Sequence, residues 1–536
     1  MNFFNNQHKK MIQQIKSKSV AGLSAFAIML MAFACSLDIE QTDSIIDEGS
    51  GGFSGVPDAD AAITEILADM ARNNEAQNNL YALREVSTDE LLVPTRGTDW
   101  GDNGIWRTLH AHTWSPSHQY VLNAWNELNQ NVFAATEVLD PLSNANATQA
   151  AEAKFIRAYN LFFLIDLYGQ VPFRQPDEGA DVDPQVLSRV EAYNLALTDI
   201  REAIPDLPVV GPSDGTNRPH QAAGNFLLAK LLLNAHIFNG TGTPSDADLQ
   251  GVIDAVDAVE AGGFALQEGF FELFEETVDN ETVFFLPNSV GNRMWNGLHY
   301  SQTAPGNTGG GWNGFSTLAE FYDSFEGPET NGIGDGQEER RGFVPTVAEA
   351  DTSNIGIGYG FLIGQQVGIT EYGEGEVPLT YNNLNDRAGN PLVFTKSIPG
   401  LVGNSETTGV RVLKYHPVNG SFTGHSIVFR FADAHLMRAE ARLRLGTNID
   451  DEVNELRALR GASPASAVDE TFLLAERGRE LYIEGWRRND MIRFGQFTRD
   501  WEFKDAGSVG DATKNLYPIP AAALLSNPNL VQNEGY

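Results

Sequence analysis

The sequence predicts a mainly α-helical protein in which tetratricopeptide-like helical hairpins form a scaffold beside a loop-rich insertion region. Apolar residues recur at helical spacing through much of residues 57–287 and again through residues 427–536. Residues 288–426 are instead rich in Gly, Asn and Thr, with isolated aromatic residues and little helical periodicity. So long an irregular segment is more typical of a functional loop region than of a separate domain.

The strongest helix is expected over residues 152–168, where the apolar side chains form one stripe. Gly169 and Pro172 follow it, as residues that end helices commonly do. Further helices are expected from residue 57 and over residues 121–139, 190–203, 220–238, 249–260, 428–445, 451–460 and 471–486. This order favours stacked helical hairpins, in which each helix buries its apolar face against the next. No fixed-period repeat is visible, so a regular solenoid is not established.

The charge and the cysteine content exclude several classes of protein. The 536 residues include 36 basic and 71 acidic side chains, and the formal net charge is −35. A chain this acidic repels phosphate backbones and has no long basic block, so nucleic-acid binding is not expected. The one cysteine, Cys35, leaves no material for a disulfide within the chain or for a Cys/His zinc cluster.

Residues 1–34 have the pattern of a bacterial export signal. Lysines at positions 9, 10, 16 and 18 form a basic region, and the apolar run over residues 20–33 is too short to span a membrane. Cys35 follows directly, so the segment resembles a lipoprotein signal in which this cysteine becomes the lipidated first residue. An ordinary buried cysteine is the alternative. Residues 35–56 contain a short Gly/Ser-rich stretch and are expected to form a flexible tether.

Aromatic side chains in glycine-containing loops are the candidate ligand-binding residues. Trp100 and Trp106 lie in TRGTDWGDNGIW, Trp295 and Tyr300 in RMWNGLHY, and Trp312 in GGGWNG. Neighbouring glycines can leave an indole exposed, and its face can pack on the apolar face of a sugar ring. The alternative is that these large rings fill gaps beneath the loops, since Trp is highly buried on average. Four polar side chains beside them could hydrogen-bond to hydroxyl groups: Arg96, Asn103, Asn296 and Asn313.

No catalytic motif accompanies these residues. The sequence has no HExxH, no Walker phosphate loop and no GxSxG elbow. Gly309, Gly311 and Gly314 have GxGxxG spacing, but they follow a polar loop and not a strand, which favours coincidence. His110 and His112 are expected to be structural, because no acidic residue at a familiar ligand spacing completes a metal site.

Five segments, in order along the chain, resemble the SusD/RagB family of surface glycan-binding lipoproteins. They are STDELLVPTRGTDW at 87–100, AKFIRAYNLFFLIDLYGQVPF at 153–173, FRFADAHLMRAEARLRLG at 429–446, ERGRELYIEGWRRNDMIRFGQF at 476–497 and YPIPAAALLSNPNLVQNEGY at 517–536. The segments themselves favour structural roles. In residues 476–497, for example, charges of both signs have spacings that allow ion pairs in a network that packs the C-terminal helices.

The resemblance implies a binding protein and not an enzyme. It implies a lipid anchor through Cys35, exposure at the surface of the outer membrane, and delivery of captured oligo- or polysaccharide to a TonB-dependent, SusC-like transporter. We predict no cofactor and assign no metal-binding residue. Family members use loop aromatic residues in the regions of Trp100 and Trp312, so these two are the preferred contacts in the predicted site. That site comprises Arg96, Trp100, Asn103, Trp295, Tyr300, Trp312 and Asn313.

These inferences divide the chain into five parts. They are the signal peptide (1–34), the lipid-anchored tether (35–56), an N-terminal helical-hairpin scaffold (57–287), a loop-rich region expected to face the glycan (288–426), and a C-terminal helical segment that completes the scaffold (427–536). The glycan and its linkage are beyond what the sequence specifies.

Two other functions stay open at this point. One is a surface glycoside hydrolase, because many acidic residues could supply its carboxylate pair, such as Asp89 or Glu90 with Asp102. The other is a surface binder of peptides or glycopeptides, since helical-hairpin scaffolds offer extended concave surfaces. Asp99 and Asp102 could also join a calcium site, although their spacing matches no familiar loop.

Overall fold

The computed structural model describes residues 52–179, 181–275, 279–288, 290–328, 332, 336–372, 378–417 and 424–536. The expected signal peptide, Cys35 and residues 35–51 of the expected tether lie outside these ranges, so the lipid anchor stays a prediction. Within the ranges, no helix is both long enough and apolar enough to cross a membrane.

Helices dominate the described residues, as the sequence predicts. In chain order they are α1 (Ala59–Glu75), α2 (Asn79–Glu85), α3 (Ile105–His110), α4 (Gln119–Leu139), α5 (Ala147–Leu167), α6 (Arg189–Ala203), α7 (Gln221–Leu233), α8 (Ala235–Phe238), α9 (Asp246–Ala261), α10 (Gly291–Trp295), α11 (Ala319–Tyr322), α12 (Phe431–Arg444), α13 (Asp450–Leu459), α14 (Glu470–Leu481), α15 (Arg487–Arg493) and α16 (Ala521–Ser526). The strands are β1 (Gln170–Phe173), β2 (Gln185–Ser188), β3 (Thr282–Leu286), β4 (Gly342–Phe343), β5 (Tyr359–Leu362), β6 (Gly364–Gln365), β7 (Val367–Glu371), β8 (Thr380–Asn383), β9 (Val393–Phe394), β10 (Arg411–Leu413) and β11 (Ser426–Arg430).

Helix α5 shows how the scaffold is built. Asn146 and Gln149 form a capping box that satisfies backbone N–H groups at its first turn. The helix is apolar on almost every side, and it packs against α4 on one side and α6 on the other. It ends where Gly169 takes a φ of +73°, a conformation that glycine adopts without strain. The helix expected over residues 152–168 is therefore confirmed, with an earlier start at Ala147.

The other scaffold helices pack on one another in succession. Helix α6 packs on α7, α7 on α9, α9 on α12, and α12 on α14. Most of the buried apolar side chains belong to one continuous core, and a smaller cluster lies among α12, α13 and α14. This succession is the one expected of stacked helical hairpins, so the predicted fold class is confirmed.

Two predicted helices are shorter than expected. The helix predicted over residues 428–445 begins at Phe431, because the preceding residues form β11, which pairs antiparallel with β3. The helix predicted over residues 471–486 ends at Leu481, before a turn in which Ile483 has a φ of +53°. In the first case a pairing with a distant strand overrides the local helical periodicity.

Residues 288–426 leave the scaffold and return to it at one place, because the flanking strands β3 and β11 pair with each other. Inside this region, β10, β5 and β4 form a three-stranded sheet, while β6 pairs with β9 and β7 with β8. The sequence did not predict these short strands. The division of the chain at residues 288 and 426 stays a prediction.

A buried ionic network joins this region to the C-terminal helices. The Glu480 carboxylate on α14 accepts hydrogen bonds from Arg430 (2.6 Å), Arg460 (3.0 Å) and Arg340 (3.2 Å), and all four side chains are fully buried. Glu281 bridges Arg430 (2.9 Å) and Arg460 (2.7 Å). Burial alone would raise the pKa of Glu480, but the three guanidiniums hold it well below its usual range. The structural network predicted for residues 476–497 is therefore present, and its partners are distant in sequence.

A second buried acidic pair lies at the turn after α14. The carboxylate of Glu85 accepts a hydrogen bond from the backbone N–H of Gly485, and that of Glu90 accepts one from Ile483 (3.3 Å). The other two oxygens of this pair, Glu85 Oε2 and Glu90 Oε1, are buried and accept no hydrogen bond from the described residues. Burial raises the pKa of both groups, and the neighbouring Glu85 carboxylate raises the pKa of Glu90 further. A shared proton therefore belongs to the folded state.

This pair predicts that stability falls as the pH rises. Both pKa values are higher in the folded state than in the unfolded state. The stabilisation that the protonated pair contributes is therefore fully present below the carboxyl pKa of the unfolded chain, and it is lost as the pH rises through the pKa of the folded state. Glu90→Gln keeps an acceptor and supplies a permanent donor, so we expect it to raise the free energy of unfolding by about 1–2 kcal/mol at alkaline pH. Urea titrations across pH would measure this, with the exposed Glu65→Gln as control. Equal pH slopes for wild type and Glu90→Gln would contradict the shared proton.

Candidate functional site

The candidate site forms where the loop before α3 meets the loop after α10. The Trp312 backbone is fixed on both sides: its N–H donates to the Trp295 carbonyl (2.8 Å), and its carbonyl accepts from the Trp100 indole N–H (2.8 Å). The Trp312 side chain is nevertheless 65% exposed, whereas the other tryptophans of the chain are buried or half-buried. A large apolar ring is therefore held in solvent by a rigid backbone.

Trp100 lies beside Trp312 and is half-buried. Its ring covers Gly314 so closely that a β-carbon at position 314 would lie 2.4 Å from the Trp100 Cε2 atom. Trp106 and Phe315 support the ring at centroid distances of 5.7 and 5.8 Å. Trp100 and Trp312 together are called the aromatic platform below.

Glycines allow the loop that carries Trp312 to pack as it does. A β-carbon at Gly311 would lie 2.0 Å from the Leu298 carbonyl oxygen, and one at Gly310 would lie 2.1 Å from that of Tyr300. The close approach lets the Gly311 N–H bond to the His299 carbonyl (2.9 Å). These glycines thus serve loop packing, in keeping with the interpretation of the GxGxxG spacing as coincidence.

A polar cluster adjoins the aromatic platform. The Tyr300 hydroxyl donates to Asp99 Oδ2 (2.6 Å), and the guanidinium of Arg387 lies over the Tyr300 ring at 4.1 Å from its centroid. Arg387 also donates to Asp99 Oδ2 (3.0 Å) and to the Glu406 carboxylate. The hydrogen bond from Tyr300 lowers the pKa of Asp99, while burial raises the pKa of Tyr300 to about 12. At neutral pH the tyrosine is therefore a donor and the aspartate is ionised.

The predicted residues divide into a solvent-facing group and a buried group. Trp312 and Asn103 are exposed, and Trp100 and Tyr300 are half-buried. Arg96, Trp295 and Asn313 are buried, together with Asn296 and Trp106. The structure therefore places four of the seven predicted side chains where a ligand can reach them.

The buried members support the loops from beneath. Arg96 donates to the carbonyls of Gly314 (3.0 Å) and Thr408 (2.7 Å). Asn313 donates to the Glu406 carbonyl (3.1 Å) and accepts from Arg411 (2.7 Å). These bonds go to protein groups and not towards solvent, so both side chains hold the loops in place.

Sequence reasoning missed Arg387, Glu406 and Arg411. The one available signal was the turn sequence NDRAGN, in which the Asp386 carboxylate accepts from the backbone N–H groups of Ala388 (2.9 Å) and Asn390 (2.8 Å). That signal predicts a turn, but nothing in it places Arg387 beside Tyr300.

Other sequence candidates have partners within the protein. Asp89 forms ion pairs with Arg487 and Arg499, both at 2.7 Å. Asp102 accepts from the Trp106 indole N–H (3.0 Å). His110 and His112 bond to the main-chain carbonyls of Glu502 (2.9 Å) and Ser87 (2.8 Å). In the described part of the chain no three His, Cys, Asp or Glu side chains form a group that could hold a metal ion.

Solved structures and known sequences identify the fold and the family. A family model described as "SusD family" matches residues 280–536, and one described as "Starch-binding associating with outer membrane" matches residues 41–233. The starch-binding protein SusD of Bacteroides thetaiotaomicron is 26% identical over 91% of this chain and 89% of its own length.

Two solved structures show the same fold. A SusD-like protein from Bacteroides fragilis has a TM-score of 0.67 at 17% identity, with 89% of this chain and 96% of that chain covered. Surface glycan-binding protein A from Bacteroides thetaiotaomicron, in complex with laminarihexaose, has a TM-score of 0.61 at 16% identity, with 89% and 98% covered. The family models, the full-length relative and the shared mainly α-helical fold agree that the chain belongs to the SusD family.

Proposed function

We propose that the protein is a lipid-anchored glycan-binding protein of the outer-membrane surface, and that it is not an enzyme. The observation that carries the proposal is the aromatic platform, in which Trp312 is 65% exposed on a backbone fixed by Trp295 and Trp100. A rigid, exposed indole loses little conformational entropy on binding and offers an apolar face to a sugar ring.

The energy available from the platform suits reversible capture. If each of the two rings hides about 100 Å² of apolar surface, the pair contributes about 5 kcal/mol. Association costs at least about 4 kcal/mol, so polar contacts must supply most of the measurable affinity. Asn103, which is exposed, and Tyr300, which is half-buried, are the accessible polar side chains of the predicted site. Weak binding of this kind fits a protein that hands its ligand to a transporter.

The proposed cellular location and the proposed transporter partner are supported by the family and by the N-terminal sequence. One matched family description names association with the outer membrane, and one relative is named a starch-binding protein. The lipoprotein-like signal ending at Cys35 supports an anchor at that membrane. The last part of the proposal is that the protein delivers captured glycan to a TonB-dependent, SusC-like transporter. This part is supported by the family resemblance alone.

The carboxylates near the platform favour binding without turnover. A glycosidase needs two carboxyl groups on either side of the scissile bond, one of them able to donate a proton. Here Asp99 and Glu406 are both tied to Arg387, and Asp102 is bonded to Trp106. Hydrogen bonding from Tyr300 lowers the pKa of Asp99, which makes it a poor proton donor at neutral pH.

Affinity gel electrophoresis of the chain from Ser36, through a panel of soluble polysaccharides, tests the proposal. We expect retardation by at least one glycan, release of no reducing ends, and at least tenfold weaker binding by Trp312→Ala, since about 1.4 kcal/mol corresponds to tenfold. Leu525→Ala is the matched control, because Leu525 is 89% exposed on α16. Thermal unfolding should be unchanged in both variants.

Three results would contradict this. Unchanged affinity of Trp312→Ala would remove the platform from the site. Release of reducing ends would favour the hydrolase. Competition by peptides for a site that no glycan occupies would favour the peptide or glycopeptide binder.

A further inference from the structure

Arg387 is the most exposed charged group of the polar cluster and is held in one orientation. Its side chain is 55% exposed, yet its Nε donates to Glu406, its Nη2 donates to Asp99 (3.0 Å), and its plane lies over the Tyr300 ring. Its backbone N–H also donates to Glu406 (3.0 Å). The remaining nitrogen, Nη1, has no partner among the residues that the structure describes. One fixed N–H donor group thus points away from the partners that hold the side chain.

The position of Arg387 connects it to the aromatic platform. Asp99, which holds its Nη2, directly precedes Trp100, whose indole N–H bonds to the Trp312 carbonyl. The Tyr300 ring lies under the Arg387 guanidinium, and the Tyr300 carbonyl contacts Gly310 in the loop that carries Trp312. Arg387 is therefore held by two residues, Asp99 and Tyr300, that adjoin the platform.

Arg387, the exposed cation of the polar cluster, is paired with carboxylates. Asp99 and Glu406 flank Arg387, while Asp102 is exposed and Asp386 is half-buried. The buried guanidiniums of Arg96 and Arg411 add positive charge beneath the loops, and their Nη1 and Nη2 groups donate to protein acceptors.

Arg107, half-buried, donates to Gly101 (3.2 Å) and Thr95. Four arginines thus balance four carboxylates locally, in a chain of net charge −35. An anionic ligand would approach a strongly acidic protein, and at the platform it would meet a guanidinium, that of Arg387, whose charge is already paired with Asp99 and Glu406.

We propose that Arg387 is a specificity-determining residue of the glycan site, and that the site selects neutral glycans over carboxylated or sulfated ones. Its Nη1 group donates to a sugar hydroxyl beside the platform, while Asp99 and Glu406 compensate its charge. The inference rests on the proposed glycan-binding function and names the class of glycan.

Calorimetric titration with matched pairs of polysaccharides tests the class of ligand. The probes are soluble neutral α- and β-glucans, each beside its carboxymethylated derivative of the same chain length. We expect the neutral member of a pair to bind at least about tenfold more tightly at low salt, with the difference narrowing at high salt because screening weakens repulsion. Equal or tighter binding of the charged member would overturn the inference. No binding by either member of any pair would contradict the proposed function itself.

Variants of the cluster test the residue. Arg387→Gln is expected to weaken neutral-glucan binding about tenfold, the effect of losing a hydrogen bond from a charged group. Lys396→Gln removes the same charge from an ion pair with Asp323 and is the matched control. The double variant Asp99→Asn, Glu406→Gln is expected to raise the relative affinity for the carboxymethylated glucan at least about threefold, because it frees the charge of Arg387. Indistinguishable binding by Arg387→Gln and Lys396→Gln would remove Arg387 from the site.

Discussion

Replacing Glu480 with alanine is expected to lower the free energy of unfolding by about 3–5 kcal/mol, the cost of breaking a buried ion pair by removing one partner. The Glu480 carboxylate accepts from three guanidiniums in the protein interior. Without it, Arg340 and Arg430 keep other carboxylates, Glu476 and Glu281, but the network holds one buried positive charge too many.

Urea unfolding followed by circular dichroism would measure this loss. Glu455→Ala is the matched control, because Glu455 is an exposed glutamate on the neighbouring helix α13, and we expect it to change stability by less than about 0.5 kcal/mol. The loss of stability in Glu480→Gln should lie between the losses in Glu480→Ala and Glu455→Ala, because glutamine keeps a hydrogen-bond acceptor and loses the charge. A loss below about 1 kcal/mol for Glu480→Ala would mean that the network is compensated by solvent or by rearrangement.

The scaffold was predictable because its helices are specified locally. The apolar stripe of α5 and its stop at Gly169 are both visible in the sequence. Strand β11 could not be predicted in the same way. A short apolar run such as SIVFR is compatible with a helix or a strand, and only its pairing with β3 decides between them. The charge pattern predicted an ion-pair network around residues 476–497. Two of its members, Arg340 and Glu281, are distant in sequence, so no local spacing could indicate them.

The site was predictable in its aromatic part and not in its polar part. Glycine neighbours correctly indicated that Trp312 could be exposed, because glycine-rich loops lack the side chains that would cover it. The same reasoning could not separate Trp312 from Trp295, whose burial depends on how α10 packs. Arg96 and Asn313 look like ligand donors in sequence, but the folded loops satisfy them with carbonyl groups. Arg387 carries no signal until the chain brings it over Tyr300.

Gly314→Ala is expected to weaken glycan binding more than Trp312→Ala, by about a hundredfold or more, because it disturbs both rings of the platform. The new methyl group would lie 2.4 Å from the Trp100 ring. The backbone cannot yield, since the Gly314 N–H donates to the Asn296 carbonyl (2.6 Å) and its own carbonyl accepts from Arg96 (3.0 Å). Trp100 must therefore move, and its hydrogen bond to the Trp312 carbonyl breaks with it.

Gly309→Ala is the matched control, because it lies in the same loop and the nearest atom to its new methyl group is 3.6 Å away. Retained binding by Gly309→Ala and lost binding by Gly314→Ala, with both proteins folded by circular dichroism, would show that the position of Trp100 matters and not the glycine content of the loop. If Gly314→Ala binds as well as wild type, Trp312 alone makes the apolar contact. In that case the fixed carbonyl of Trp312 is a consequence of loop packing and not a requirement for binding.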